Sequence, residues 1–285
     1  MPLSSLTDSE LKPLVQKALE EDLGTAGDVT TDAIVSKKHT CRAAMIARKE
    51  GVVAGLDLAR LAFQLCNPDV RFTPLKADGD SVQPNDTLAT VQGSSHDILK
   101  AERTALNFLC HLSGVATETH KLVEAAKPHK ARISCTRKTT PGLRLIEKYA
   151  VRAGGGVNHR FGLHDMVLIK DNHVAIAGGV RPAVLAARAS ADPEMKIELE
   201  VDSLDQLREA LDLPIDAVLL DNMPPEQLRQ AVTMINGRFT TEASGGVTLV
   251  NVQAIAASGV DVISVGWITH SAPVLDIGLD LLEGK

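Results

Sequence analysis

Three potential cations gather around one short apolar run. Gly154-Gly155-Gly156-Val157-Asn158 leads into His159 and Arg160, and Met166-Val167-Leu168-Ile169 leads into Lys170, Asp171, Asn172 and His173. A fold does not need a histidine, an arginine and a lysine clustered about one strand. Capture of a small anion does, because guanidinium and ammonium groups pair with carboxylate or phosphate oxygens. Arg137 and Lys138 fall in the same half of the chain and extend the set. Arg103 stands apart, on a helical run where it flanks the stripe of Ile98, Leu106 and Leu109. An arginine there is either a snorkelling core-edge residue or one that reaches across an interface.

Acids and glycines complement the cations. Glu200 and Asp221 close consecutive strand-like runs and would sit side by side. Two oxygen donors without a cysteine or a close histidine pair suit Mg2+ held through water and phosphate, although each could equally pair with a neighbouring base. Ser244-Gly245-Gly246 and Val265-Gly266 end the last two strand-like runs, and exposed backbone N–H groups at such ends suit phosphate. Neither a GxxxxGK[ST] loop nor a strand-borne GxGxxG occurs, which argues against a nucleotide P-loop or a Rossmann site.

The elements that carry these residues fall into two patterns. Thr7-Asp8-Ser9-Glu10 has the spacing of a capping box before Leu11, Leu14, Val15, Ala18 and Leu19 at helical intervals. Strand-like runs over 41–48, 51–55, 70–76 and 87–92 follow, then a long helix over 96–112, a clustered α+β pattern. From about 130, strand-like runs at 131–135, 166–170, 195–201, 215–220, 238–242 and 260–265 alternate with helical ones at 143–153, 203–212, 224–236 and 248–257. Repeated β-then-α units specify a parallel sheet, open or closed. Lys196, Glu198 and Glu200 share one strand face opposite Ile197, Leu199 and Val201, and Arg238, Thr240 and Glu242 share another. A doubly wound sheet buries both faces and reads apolar throughout, so a polar face favours a barrel with an active site at the carboxyl ends of its strands. Only six strands are visible, and Val274 to Leu282 is free to return to the first domain.

Composition bounds the partners. The chain has 285 residues, 44% apolar and 23% charged, ample for a sizeable core. Aromatics make up 2% and the net charge is −6, which disfavour nucleic-acid binding, so any cationic site is local. Cys41, Cys66, Cys110 and Cys135 show no CxxC spacing, as expected of free thiols in a reducing compartment. No secretory pattern and no run long enough to span a bilayer is present, so the expected location is cytoplasmic, with no membrane partner.

Seven motifs, in order along nearly the whole chain, resemble the quinolinate phosphoribosyltransferase family. They are Glu102-Arg103-Thr104-Ala105-Leu106-Asn107, Thr136-Arg137-Lys138-Thr139-Thr140-Pro141-Gly142-Leu143-Arg144, the stretch Gly154–His173, Glu198-Leu199-Glu200-Val201, Leu220-Asp221-Asn222, Glu242-Ala243-Ser244-Gly245-Gly246 and Ser264-Val265-Gly266. One departure is Cys135, where many members carry Asp. The resemblance implies an N-terminal α/β sandwich over 1–113, joined by about 271–285, and an incomplete α/β barrel over 114–270. It also implies Mg2+ and a homodimer with shared active sites, in which quinolinate and phosphoribosyl pyrophosphate give nicotinate mononucleotide, pyrophosphate and CO2 for de novo NAD synthesis. By the same resemblance Arg103, Arg137, His159, Arg160 and Lys170 would bind quinolinate, Arg103 from across the interface. Lys138, Glu200 and Asp221 would hold the phosphoribosyl pyrophosphate and its metal, and Ser244, Gly245, Val265 and Gly266 its phosphate. Lys138 and Lys170 are candidates for the proton chemistry.

Two other readings compete. One is an aldolase-type barrel with Lys170 as a Schiff-base nucleophile. The other is a catalytically silent binder of pyridine carboxylates, disfavoured because both substrate subsites are complete.

Overall fold

The structure, a computed structural model, describes residues 6–282. It divides into two compact units. The first comprises Met1–Glu118, Leu145–Gly155 and Ser271–Lys285, and the second Thr119–Arg144 and Gly156–His270.

The first unit is built on an antiparallel sheet. Its strands are β1 (Thr40–Ala47), β2 (Gly51–Val52), β3 (Arg71–Pro74), β4 (Ser81–Val82) and β5 (Thr87–Ser94). The second unit supplies β6 (Arg132–Ser134), β7 (Val167–Ile169), β8 (Ile197–Val201), β9 (Ala217–Asp221), β10 (Thr240–Ser244) and β11 (Val262–Ser264). The last strand, β12 (Ile277–Leu282), returns to the first unit. The main sheet of that unit has the order β12-β1-β5-β3, and β2 pairs with β4. Helices Asp8–Leu23, Leu56–Cys66 and the long Ser95–Ala126 accompany it. Glu10 accepts the Thr7 N–H at 2.8 Å, so part of the expected capping box forms. Fully buried Met45, Leu58, Leu61, Phe63, Leu88, Ile98, Leu109 and Leu112 make the core, each contributing about 1.5–3 kcal/mol by leaving water.

The second unit is a six-stranded parallel sheet, order β6-β11-β10-β9-β8-β7. The first strand lies beside the last, as in a barrel. Among the described residues β6 and β7 do not pair with each other, so the barrel is incomplete. Val157 covers the free edge of β6: its N–H donates to the Ile133 carbonyl at 2.8 Å, and its carbonyl accepts the Cys135 N–H at 3.3 Å.

Local chemistry sets the outer helices. Pro225 begins one at the position where a missing N–H costs nothing, and Asn236 ends it in the left-handed region (φ 48°). The Ser203 hydroxyl caps Leu204–Ala210 by accepting the Gln206 N–H at 3.4 Å. Helix Arg144–Ala153 follows β6 in sequence, yet Leu145–Gly155 belongs to the first unit. There the Tyr149 hydroxyl donates to Asp78 at 2.7 Å.

Candidate active site

Strand register decides which side chains share the barrel interior. Glu200 lies opposite Leu219, Glu242 opposite both Leu219 and Val262, and Ser264 opposite both Ser244 and Ser134. Leu168 lies opposite Glu198. Because side chains alternate with a period of two, these residues and Asp221, two beyond Leu219, point to one face. Of these, Leu168, Glu200, Leu219, Asp221, Glu242, Ser244 and Ser264 line a cleft of about 580 Å3 at the carboxyl ends of the strands, together with Thr136, Arg137, Lys138, His159, Arg160, Lys170, Asn222, Gly245 and Gly246. A second cavity of about 290 Å3, lined by Arg132, Lys196, Ala217 and Thr240 near the amino ends, shares His159, Arg160 and Glu242 with the first.

The cleft therefore brings together nine expected residues: Arg137, Lys138, His159, Arg160, Lys170, Glu200, Asp221, Ser244 and Gly245. Val265 is a buried core side chain outside the lining. Gly266 borders the Lys138 stem, where a Cβ would come within 3.0 Å of Lys138 Cδ. Arg103 is an exposed side chain of the first unit and makes no ion pair among the described residues.

One side of the cleft is cationic and unpaired. The Nε atoms of Arg137 and Arg160 are buried without a hydrogen-bond partner. Arg160 donates from Nη1 to the Met166 carbonyl at 3.0 Å, and neither guanidinium forms an ion pair among the described residues. Burial, and then the Arg137 charge, lower the pKa of Arg160. Guanidiniums with unpartnered N–H groups are chemically able to receive planar carboxylates.

The opposite side is acidic and partly neutralised. Lys170 Nζ donates to Glu200 Oε2 at 2.5 Å. Asp221 Oδ2 accepts from Asn222 Nδ2 at 2.6 Å. Asn222 adopts φ 55°, and its N–H donates to the Ser244 carbonyl at 2.8 Å. Gly245 is obligatory here: it has φ 97°, and a Cβ would lie 2.1 Å from Asn222 Oδ1. Cys135, the departure noted above, is a buried thiol donating to Asn158 Oδ1 at 3.3 Å.

The floor holds two acids that linear spacing did not single out as functional, Glu198 and Glu242. His159 Nε2 is 3.0 Å from Glu198 Oε2 and 3.5 Å from Glu242 Oε1. The Ser264 hydroxyl donates to Glu242. Burial, then the Glu198 charge, push the Glu242 carboxyl up to about 7, against the pull of His159 and Ser264. Thr136, Asn222 and Ser264 were likewise unassigned. Same-face alternation was the available signal for Glu198 and Glu242.

Comparison with known proteins now bears on this geometry. Residues 28–113 match the model of the quinolinate phosphoribosyl transferase N-terminal domain, and residues 115–280 match that of its C-terminal domain. The chain belongs to the quinolinate phosphoribosyltransferase family. It is 46% identical to nicotinate-nucleotide pyrophosphorylase [carboxylating] of Mycobacterium leprae, over 97% of this chain and 100% of that protein. It is 41% identical to the probable nicotinate-nucleotide pyrophosphorylase [carboxylating] of Bacillus subtilis (strain 168), over 95% of this chain and 93% of that one. The crystal structure of NadC from Streptococcus pyogenes superposes with a TM-score of 0.94 at 40% identity, covering 98% of this chain and 100% of that one. Family membership thus agrees with the sandwich and incomplete-barrel architecture expected from the motifs.

Proposed function

We propose the following roles for the residues of the cleft in the quinolinate phosphoribosyltransferase reaction. The enzyme joins quinolinate to phosphoribosyl pyrophosphate, yielding nicotinate mononucleotide, pyrophosphate and CO2 in NAD biosynthesis. The observation that carries the assignment is the pair of unpaired guanidiniums, Arg137 and Arg160, on the side of the cleft facing Glu200, Asp221, Ser244 and Gly245.

Arg137, Arg160 and Lys170 bind the two carboxylates and aim the ring nitrogen at the ribose carbon that loses pyrophosphate. Attack makes the ring cationic. The adjacent carboxylate then leaves as CO2, its bonding electrons pass to the ring carbon, and that carbon takes up a proton. Lys138 and Lys170 are the candidate donors. Ser244 and the Gly245 and Gly266 backbone hold the 5′-phosphate at strand ends. Glu200 and Asp221 fit Mg2+ by donor type: both offer hard oxygens from adjacent strands, and Glu200 already attracts one cation, Lys170. When bound, the ion supplies charge neutralisation at the departing pyrophosphate.

The active unit in this reading is a homodimer in which Arg103 of the partner subunit completes the quinolinate site. Its exposure and lack of an ion pair among the described residues support that role. The enzyme is assigned to the cytoplasm, consistent with four free thiols, and no helix among the described residues is long and apolar enough to cross a membrane. The Schiff-base alternative is disfavoured because Lys170 spends its hydrogen bond on Glu200, the arrangement of an ion pair and not of an amine poised to attack.

The test is a pyrophosphate-release assay comparing quinolinate with nicotinate, with and without Mg2+. Release that needs quinolinate and Mg2+ is expected. Equal release with nicotinate would sink the substrate assignment, and undiminished release without the metal would sink the role of Glu200 and Asp221.

A further inference from the structure

Beneath Arg160 the barrel interior buries two carboxylates against one imidazole. The Glu198 and Glu242 side chains are 3% and 7% exposed, and His159 is 9% exposed. Burying two acids together costs more than burying neutral residues of the same shape, so packing does not explain them. Their hydrogen bonds point to a use.

His159 Nδ1 accepts the Arg160 backbone N–H at 2.7 Å. That nitrogen therefore carries no proton, and the ring proton resides on Nε2, where Glu198 accepts it at 3.0 Å. Glu242 backs the same nitrogen at 3.5 Å and is itself tied to the Ser264 hydroxyl on the neighbouring strand. A cation is the obvious rival occupant, since the three ligand atoms lie within 4.8 Å of one another. The tautomer argues against it: a metal on Nε2 needs the lone pair of an atom that already bears the proton. The cluster is closed by hydrogen bonds.

We propose that Glu198 and Glu242 are positioning residues for quinolinate: through His159 they hold Arg160 in place, so that its guanidinium meets the substrate carboxylate without rearrangement. The proposal rests on the assignment of this side of the cleft to quinolinate. Chain and ring support one another. Glu198 fixes the ring, the ring fixes the Arg160 backbone, and the Met166 carbonyl fixes Nη1 from the other end. The Glu198 charge also offsets the mutual repulsion of Arg160 and Arg137. Glu198 is joined to the His159 and Arg160 side of the cleft, whereas Glu242 also meets Ser264, so loss of Glu198 should be felt by one substrate only.

The experiment combines steady-state kinetics of the full-length enzyme with 15N NMR of its histidine rings, the His159 signal being identified by its loss in His159→Asn. Wild type should show His159 as the Nε2–H tautomer. Glu198→Ala should raise the quinolinate KM roughly 10- to 100-fold, leave the KM for phosphoribosyl pyrophosphate unchanged and disturb the His159 signal. Glu198→Gln should recover most of the loss, because its amide oxygen accepts the same N–H. If Glu198→Ala does not fold, Glu198→Gln and Glu242→Gln with the wild-type ring spectrum still decide. An Nδ1–H tautomer, or equal changes in both KM values, overturns the proposal while leaving quinolinate turnover intact. Absence of any quinolinate turnover by wild type overturns the functional reading, and this one with it.

Discussion

The two sides of the cleft handle charge in opposite ways. Arg137 and Arg160 stand together with buried, unpartnered Nε atoms, and burial and mutual repulsion depress the pKa of Arg160. Lys170 and Glu200, a few side chains away on neighbouring strands, have already found each other at 2.5 Å. One side holds its guanidiniums together at an electrostatic cost, which in the proposed reading a dicarboxylate would relieve. On the other, Lys170 and Glu200 offset one another, and in the proposed reading Glu200 would share its lysine with a metal–pyrophosphate. In the proposed reading, the contrast separates recognition of an organic acid from activation of a leaving group at one barrel end.

That contrast can be broken at either side. The largest effect is expected at the paired side: Glu200→Ala should cut Mg2+-dependent turnover on the order of 10²–10³-fold, with a smaller change in quinolinate binding through the released Lys170. Normal turnover in that variant would remove Glu200 from the site. On the unpaired side, Arg160→Ala should cost about 1.5–3 kcal/mol in kcat/KM for quinolinate, roughly 10- to 150-fold, with the sugar phosphate far less affected. Equal losses for both substrates would erase the division.

Stability should report the same asymmetry. The Glu242 carboxyl titrates above its ordinary value of 4.5, at about 7, so the native state binds that proton more tightly than the unfolded chain. Its contribution therefore declines as pH rises from 4.5 to 7. Glu242→Gln should stabilise the protein by about 1–3 kcal/mol at pH 8 and by nothing at pH 4, read from urea midpoints. A gain that is equal at both pH values would deny the burial of charge there. The smallest effect is expected for Arg137→Met. Replacing an unpartnered guanidinium should raise stability by about 0.5–1 kcal/mol while impairing quinolinate use, and a clear loss of stability would mean that the group is structurally partnered after all.

Much of this was legible in the chain. Four of the six parallel strands fall inside the runs marked by their apolar spacing, while β9 runs one residue further, to Asp221, and β10 two further, to Ser244. The chemical residues announced themselves because strand ends concentrate them. Helices Leu56–Cys66 and Val180–Ser190 lie outside the expected runs. The first does carry Asp57, Arg60 and Gln64 at helical spacing, a signal that was available, and the second starts from Gly178-Gly179 and carries Pro182 in its first turn. The long helix extends past the expected 112, to Ala126. Gly114 within it is a close-approach residue, since a Cβ there would lie 2.2 Å from the Pro273 carbonyl oxygen. Glu198 and Glu242 were visible as same-face residues, but their common depth and their shared imidazole depend on the register of β8 and β10 against β9, which no linear spacing reports.

The pairing of β12 with β1 has a consequence in time. A ribosome delivers β1 and β5 early, then the whole parallel sheet, and only afterwards the strand that covers the free edge of β1. Throughout that interval the nascent first sheet carries an open edge, the kind of surface on which chains pair wrongly with their neighbours. The first unit to be started is thus the last to be finished, and a slow passage through the barrel codons lengthens its exposure.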